Sequence, residues 1–161
     1  MTVPPRSIEV VDPQGSDALT LLREAAIEAR SLYPELYQGE MRWPSNPPTP
    51  AGGIYLVAYE ERVPLACGAL RPIDGTIAEV RRMYVLKTAR RSGLARLILV
   101  ALEQAAVEIG YNTMRLETGN RQSPAMALYE SCGFTRIAPF GEYMSDPTSV
   151  CYEKHCLRRA A

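Results

Sequence analysis

Neither sign of charge dominates this chain: eighteen Lys and Arg stand against eighteen Asp and Glu in 161 residues. There is therefore no global field to gather nucleic acid or an anionic membrane surface, and any anion site has to be local. Long apolar runs are missing as well. No stretch approaches the roughly 20 apolar residues of a spanning helix, and the opening MTVPPRSIEV lacks a positive region followed by an apolar core of the exported kind. The expected setting is the cytoplasm, with neither nucleic acid nor membrane as a partner. Cysteine is sparse: Cys67, Cys132, Cys151 and Cys156 are scattered through a domain large enough to fold without cross-links, so they read as reduced thiols. The one histidine, His155, lies between Cys151 and Cys156 without a C-x2-C pair nearby, so no metal is expected. Neither G-x-G-x-x-G nor G-x-x-x-x-G-K-[ST] occurs, which leaves a nicotinamide or nucleoside-triphosphate site without a motif.

What is present is enough for one core. With 47% apolar and 22% charged residues, residues 1–161 read as a single domain. Ser7 to Val11 is extended in pattern. Ser16 or Asp17 is placed to cap a helix whose stripe of Leu21, Leu22, Ala25, Ala26 and Ala29 carries it to about Leu32. Residues 34–53 hold five of the thirteen prolines around Trp43 and read as an ordered loop or lid. A hairpin follows, Gly53 to Tyr59 and Val63 to Arg71 about a charged turn, then a strand from Thr76 to Val85. A helix from Leu94 ends at Gly110, Thr113 to Thr118 is a strand, a helix starts near Ser123 and stops before Gly133-Phe134, and Ser149 to Lys154 supplies a last strand. Meandering strands followed by strand, helix, strand, helix and strand imply an α/β (α+β layered) domain with a mixed sheet and helices on its faces.

Between the strand ending at Val85 and the helix beginning near Gly93 sits the turn Arg90-Arg91-Ser92-Gly93-Leu94-Ala95. Free N–H groups and the positive dipole end at a helix start attract phosphate oxygens, and small residues let a pyrophosphate reach the backbone. Arg90 and Arg91 would add charge-assisted bonds. A basic helix start with one glycine is, equally, an ordinary solvated loop.

Three ordered blocks, Met83-Tyr84-Val85, Arg90-x-x-Gly93-x-Ala95 and Ala125-x-x-Leu128-Tyr129-x-x-x-Gly133-Phe134, resemble the GNAT superfamily of acetyl-CoA-dependent N-acetyltransferases. The resemblance implies a mixed, mostly antiparallel central sheet with helices on both faces. It implies main-chain bonds from Met83 and Val85 to pantetheine, with Tyr84 between them, and a pyrophosphate held by N–H groups from Arg91 to Ala95. The family often carries Asn three residues before Ala125, where this chain has Gln122, with Asn120 two residues earlier; either is a candidate cofactor contact. The segment Pro139-Phe140-Gly141-x-Tyr143-x-x-Asp146-Pro147 is similar to that of a bacterial subgroup of the superfamily.

The chemistry then needs a base, because an alkylammonium has to lose its proton before attacking a thioester. Glu79, four residues before Met83, is the candidate, acting directly or through water; strand alternation puts Glu79, Arg81 and Met83 on one face. The competing reading pairs Glu79 with Arg81 or Arg82. Tyr129 matches the family's acid position for the departing thiolate, against a purely packing role for its ring. Cys132 is read as a small core residue rather than an acyl carrier. The substrate is expected to be a small-molecule amine, with Tyr33, Tyr37, Glu40, Trp43 and Tyr143 as candidate contacts holding a cation by ring faces and charge. Alternatives are acetylation of a protein or peptide amine, or a catalytically silent acyl-CoA-binding regulatory module. The sequence leaves monomer and homodimer both open.

Overall fold

The computed structural model describes residues 5–40 and 42–156. Four strands, β1 (Arg6–Val10), β2 (Ile54–Glu60), β3 (Val63–Pro72) and β4 (Ile77–Val85), pair antiparallel in succession. β5 (Thr113–Gly119) lies parallel to β4, β7 (Ser149–His155) antiparallel to β5, and the short β6 (Thr135–Ile137) closes the far edge. Parallel neighbours cannot be joined by a tight turn, so the chain crosses between β4 and β5 through a helix, α2 (Leu94–Ile109). α2 and α3 (Ser123–Ser131) cover one face of the sheet, and α1 (Ser16–Leu32) covers the other. Among the described residues no helix is long and apolar enough to cross a membrane.

The main core lies under α2, where Leu94, Ile98, Leu102 and Ala105, spaced at helical period, meet Ala78, Val80, Met114 and Leu116 of the sheet. A Cβ on Gly68 of β3 would stand 2.6 Å from Ile98 Cγ2 and 2.7 Å from Met83 Sδ, so glycine is what lets α2 lie this close. A smaller core under α1 gathers Ala18, Leu21, Val57 and Cys67. At the β2–β3 turn, Glu61 and Arg62 take φ of 49° and 67°, the positive values that a two-residue hairpin requires.

Two expectations need correction. Ser16 and Asp17 do not cap α1: Gly15 holds the cap position, and the Asp17 carboxylate accepts a 2.6 Å bond from the Tyr59 hydroxyl instead. Alternation does not keep Glu79, Arg81 and Met83 on one face. Arg81 pairs with Ala69 and Tyr84 with Cys67, so Arg82 and Met83 together oppose the single residue Gly68. Arg82 adopts φ 60° in this bulge. The extra residue turns Met83 into the α2 core, while Glu79, Arg81 and Arg82 face the α1 side.

The proline-rich stretch is an ordered loop laid against the sheet. After a 3-10 turn at Pro34–Leu36 it is pinned by buried Asn46, whose amide donates to Pro13 O (2.8 Å) and the Tyr55 hydroxyl (3.2 Å) and accepts from Arg82 Nε (2.9 Å). Tyr111 ties its far end by donating to Gly52 O at 2.7 Å.

Candidate active site

β4 and β5 pair only from Ile77–Val80 against Thr113–Leu116. Beyond that, β4 continues to Val85 and β5 to Gly119 without pairing to each other, which leaves a cleft between two open strand edges. The Leu86 N–H returns to Leu65 O on β3 (2.9 Å), so strand alternation turns the main-chain groups of Val85, and of Met83 two residues earlier, toward the cleft. Arg90 Nε donates to Val85 O at 3.0 Å from that side.

The cleft's upper end is the start of α2. Gly93 holds the cap position at φ 82°, with no side-chain cap, and the first recorded helical bond is Leu97 N–H to Gly93 O. The N–H groups of Leu94, Ala95 and Arg96 therefore have no acceptor among the described residues. A Cβ at Gly93 would meet nothing within 4 Å, so the approach to these donors is open. Arg91, also at positive φ (63°), and Ser92 are exposed beside it; Ser92 Oγ donates to Ala89 O. Arg90, expected to face the same anion, is committed elsewhere: its guanidinium grips Glu28 of α1 through two nitrogens, one at 2.8 Å, and holds that carboxyl below its usual range. Its role here is to tie α1 to the turn.

Tyr129, in α3, packs in the main core with its ring edge-on to Phe134 (6.0 Å) and tilted against Tyr152 (6.1 Å). The residue is 6% exposed. Its hydroxyl has no hydrogen-bond partner among the described residues, yet no described buried side-chain oxygen is left unsatisfied, so this oxygen is not sealed from solvent. Burial, with the Glu117 carboxylate adding to it, pushes the phenol above its ordinary value. Gln122 caps α3 and Asn120 bonds through its N–H to Thr148 O; the side chains of both make no recorded bond, and Ala125 packs at the edge of the core.

Glu79 is 3% exposed and both its oxygens are used. Arg71 Nε reaches Oε1 at 3.0 Å, and the Tyr143 hydroxyl donates to Oε2 at 2.6 Å. The pairing anticipated with Arg81 or Arg82 is absent: Arg81 goes to Glu142 at 3.4 Å and Arg82 to Asn46. Sequence reasoning overlooked Glu117 on β5, which accepts from Ser149 Oγ (2.8 Å) and whose carboxyl is raised by burial and by the Asp146 and Glu79 charges. Its signal, a Glu at the end of a strand leading to Asn120, was weak.

A cavity of about 270 Å³ opens on the α1 side of the bulge, between α1, the proline-rich loop and β4. Ala25, Ala26 and Ala29 line its helix wall, Tyr55 and Cys67 its floor, and Met83 and Tyr84 its β4 side. The Cys67 thiol is pushed up to about 12 by burial and is inert. Of the five expected substrate contacts only Tyr37 lines this cavity. Tyr33 is instead buried under Arg121, its hydroxyl accepting the Arg121 N–H at 2.9 Å where Gly119 leaves it room. Trp43 is 51% exposed, with Arg23 stacked on it 5.6 Å away, Glu40 lies on the surface, and Tyr143 belongs to Glu79. Those residues were chosen by type, whereas the path of the loop depends on Asn46. Among the described residues no group of three or more His, Cys, Asp or Glu is arranged to hold a metal.

An open β4–β5 pair over an uncapped helix start, beside a cavity at a β4 bulge, is the frame of this site. The model of the acetyltransferase (GNAT) family matches residues 19–134, and this chain belongs to that family. An "IAA acetyltransferase" of Azospirillum brasilense is 39% identical over 101 residues, covering 62% of this chain and 66% of that protein, a little under two thirds of its length. A Klebsiella pneumoniae protein, provisionally assigned as an acyl-CoA N-acyltransferase, superposes with a TM-score of 0.77 at 29% identity over 94% of this chain and 98% of its own. A GNAT acetyltransferase from Elizabethkingia anophelis, solved with acetyl-CoA bound, shares the fold at 17% identity (TM-score 0.64, 93% and 97% covered).

Proposed function

We propose that this protein transfers acetyl from acetyl-CoA to the amine of a small molecule, by direct attack within a ternary complex. The observation that carries the reading is the open edge of β4 from Met83 to Val85, ending at donors with an unobstructed approach at Gly93. Acetyl-CoA supplies an activated thioester. Main-chain groups of Met83 and Val85 suit its amide-bearing arm, and the N–H groups from Arg91 to Ala95 suit its pyrophosphate. The acceptor amine enters from the α1-side cavity, which meets β4 at the same residues, Met83 and Tyr84.

The amine nitrogen forms a bond to the acetyl carbonyl carbon as the carbon–sulfur bond breaks and its electron pair leaves on sulfur. The ammonium proton goes to Glu79; since both Glu79 oxygens are engaged, the transfer runs through water or through displacement of Tyr143. The Tyr129 hydroxyl, free of protein partners, protonates the departing thiolate, and the phenolate recovers a proton from the newly acylated nitrogen, which sheds its second proton as the amide forms. Cavity volume favours a small molecule over a peptide, which would need an extended groove. The Pro139–Pro147 segment, which carries Tyr143 and Glu142 onto Glu79, Arg71 and Arg81, is what we take to mark the bacterial subgroup. Four unpaired cysteines suit a reducing cytoplasm.

Calorimetric titration with acetyl-CoA, then thiol release over a panel of amines, tests the reading. Binding with release from a small amine supports it. Release only from peptides moves the acceptor to proteins, binding without release makes the chain a silent acyl-CoA-binding module, and no binding refutes the proposal.

A further inference from the structure

Three arginines, Arg30, Arg42 and Arg82, line the 270 Å³ cavity, and no Asp or Glu does. Their partners are neutral. Arg82 donates to Asn46 Oδ1 (2.9 Å) and Ser45 O (3.3 Å), and Arg30 to Gly39 O; Arg42 has no recorded hydrogen bond. None of the three forms an ion pair among the described residues, although their neighbours do: Arg71 is held by Glu79 and Glu142, Arg81 by Glu142, and Arg90 by Glu28. Nearby carboxylates are thus spent on other arginines, while the cavity's guanidinium groups lack a counter-ion. Burial and the Arg81 charge press Arg82 toward losing its proton, a direction that an anion beside it would reverse. Arg82 also sits at φ 60° on the bulge, a conformation that costs of order 1–3 kcal/mol for a residue other than glycine. That strain aims its side chain to the α1 side, one residue before Met83 at the open edge.

We infer that the acceptor is an amine that also carries a carboxylate, an amino-acid-like molecule whose carboxylate pairs with Arg82, flanked by Arg30 and Arg42, while its amine reaches the open β4 edge. This rests on the acetyltransferase reading and specifies its substrate class. It reverses the expectation of a cation-holding pocket: the groups that would cradle a cation, Glu40 and Trp43, lie outside the cavity, and the charge inside is positive. A guanidinium presents two parallel donors to a carboxylate, which fixes orientation as well as affinity. Neutral Tyr37 and Tyr55 are left to contact the remainder of the molecule.

The test is thiol release from acetyl-CoA with α-, β- and γ-amino acids, each assayed beside its own carboxamide, on wild type and on Arg82→Gln, Arg82→Lys and Arg42→Gln. A preference for at least one carboxylate over its amide is expected, with KM for that carboxylate rising about 10- to 100-fold in Arg82→Gln, the range of one hydrogen bond to a charged group. The amide's KM should stay put, and Arg82→Lys should recover part of the loss. Because Arg82 also holds Asn46, thermal melting and acetyl-CoA titration of each variant check the fold, and Arg42→Gln repeats the test at a residue without recorded bonds. Equal or better turnover of amides and simple amines overturns the inference and leaves the acetyltransferase intact. An absence of release from every probe overturns both, and the acetyl-CoA titration then shows whether donor binding survives.

Discussion

Removing one oxygen from Tyr129 separates its chemistry from its packing. In Tyr129→Phe the ring keeps its edge contact with Phe134 and its tilt against Tyr152, and the lost hydroxyl gives up no recorded bond. The stability change should therefore stay within about 1 kcal/mol, the worth of one ordinary hydrogen bond, or roughly 2–4 °C in Tm for a chain of this size. Turnover should fall far more, by about 10²- to 10⁴-fold, the usual contribution of a positioned acid. Acetyl-CoA affinity should not move, because binding is assigned to main-chain groups on β4 and α2. The pH profile adds a second reading. The acid works in its neutral form, and the folded protein raises this phenol above its ordinary value of 10.0. Wild-type kcat should consequently show no descending limb from Tyr129 below pH 10, and the stability linked to the neutral phenol is lost only as pH climbs beyond that. Stopped-turnover thiol release and calorimetry on the two proteins measure all of this. Unchanged kcat in Tyr129→Phe refutes the acid role; a Tm drop well beyond 4 °C refutes the account of the hydroxyl as unpartnered.

Gly93→Leu places a side chain in the open approach to the α2 donors and forces φ 82° on a residue that resists it, so acetyl-CoA binding should vanish in calorimetry while stability falls by about 1–2 kcal/mol. Glu79→Gln should lower kcat by at least about tenfold with little change in acetyl-CoA affinity; unaltered kcat would reduce Glu79 to a partner of Arg71. Tyr143→Phe frees one Glu79 oxygen, so it should change kcat by less than Glu79→Gln does and leave turnover measurable. Gly68→Val drives methyl groups into Ile98 and Met83 and should cost about 1–3 kcal/mol in chemical denaturation. A chelator should leave the transfer rate unchanged.

Six of the seven strands, the three helices and the turn at Gly93 were legible because each is fixed by local signals: alternation, helical spacing, and a glycine at φ 82° before a run of helix formers. β6, three residues long and paired only with β7, gave no such signal. The pairing of Arg90 with Glu28 was hidden for a different reason. Its type suited a phosphate, but its partner Glu28 lies 62 residues away on α1, and no pattern in the chain announces that meeting. The α1-side cavity was hidden in the same way, being assembled from α1, the proline-rich loop and β4, with Asn46 pinning the loop.

One feature of β4 explains why the open strand edge could be read and the α1-side cavity could not. Regular alternation would have put Glu79, Arg81 and Met83 on one face, with Arg82 in the apolar core under α2. A guanidinium there, among Ile98 and Leu102, would lack acceptors and cost several kcal/mol. The chain avoids this with the bulge opposite Gly68, which sends Arg81 and Arg82 to the same side and Met83 into the core. The consecutive arginines in EVRRMYV are thus the sequence's own indication that alternation must break there. The break supplies a positively charged residue, Arg82, to the α1-side cavity, one position before Met83 on the open edge of the same strand.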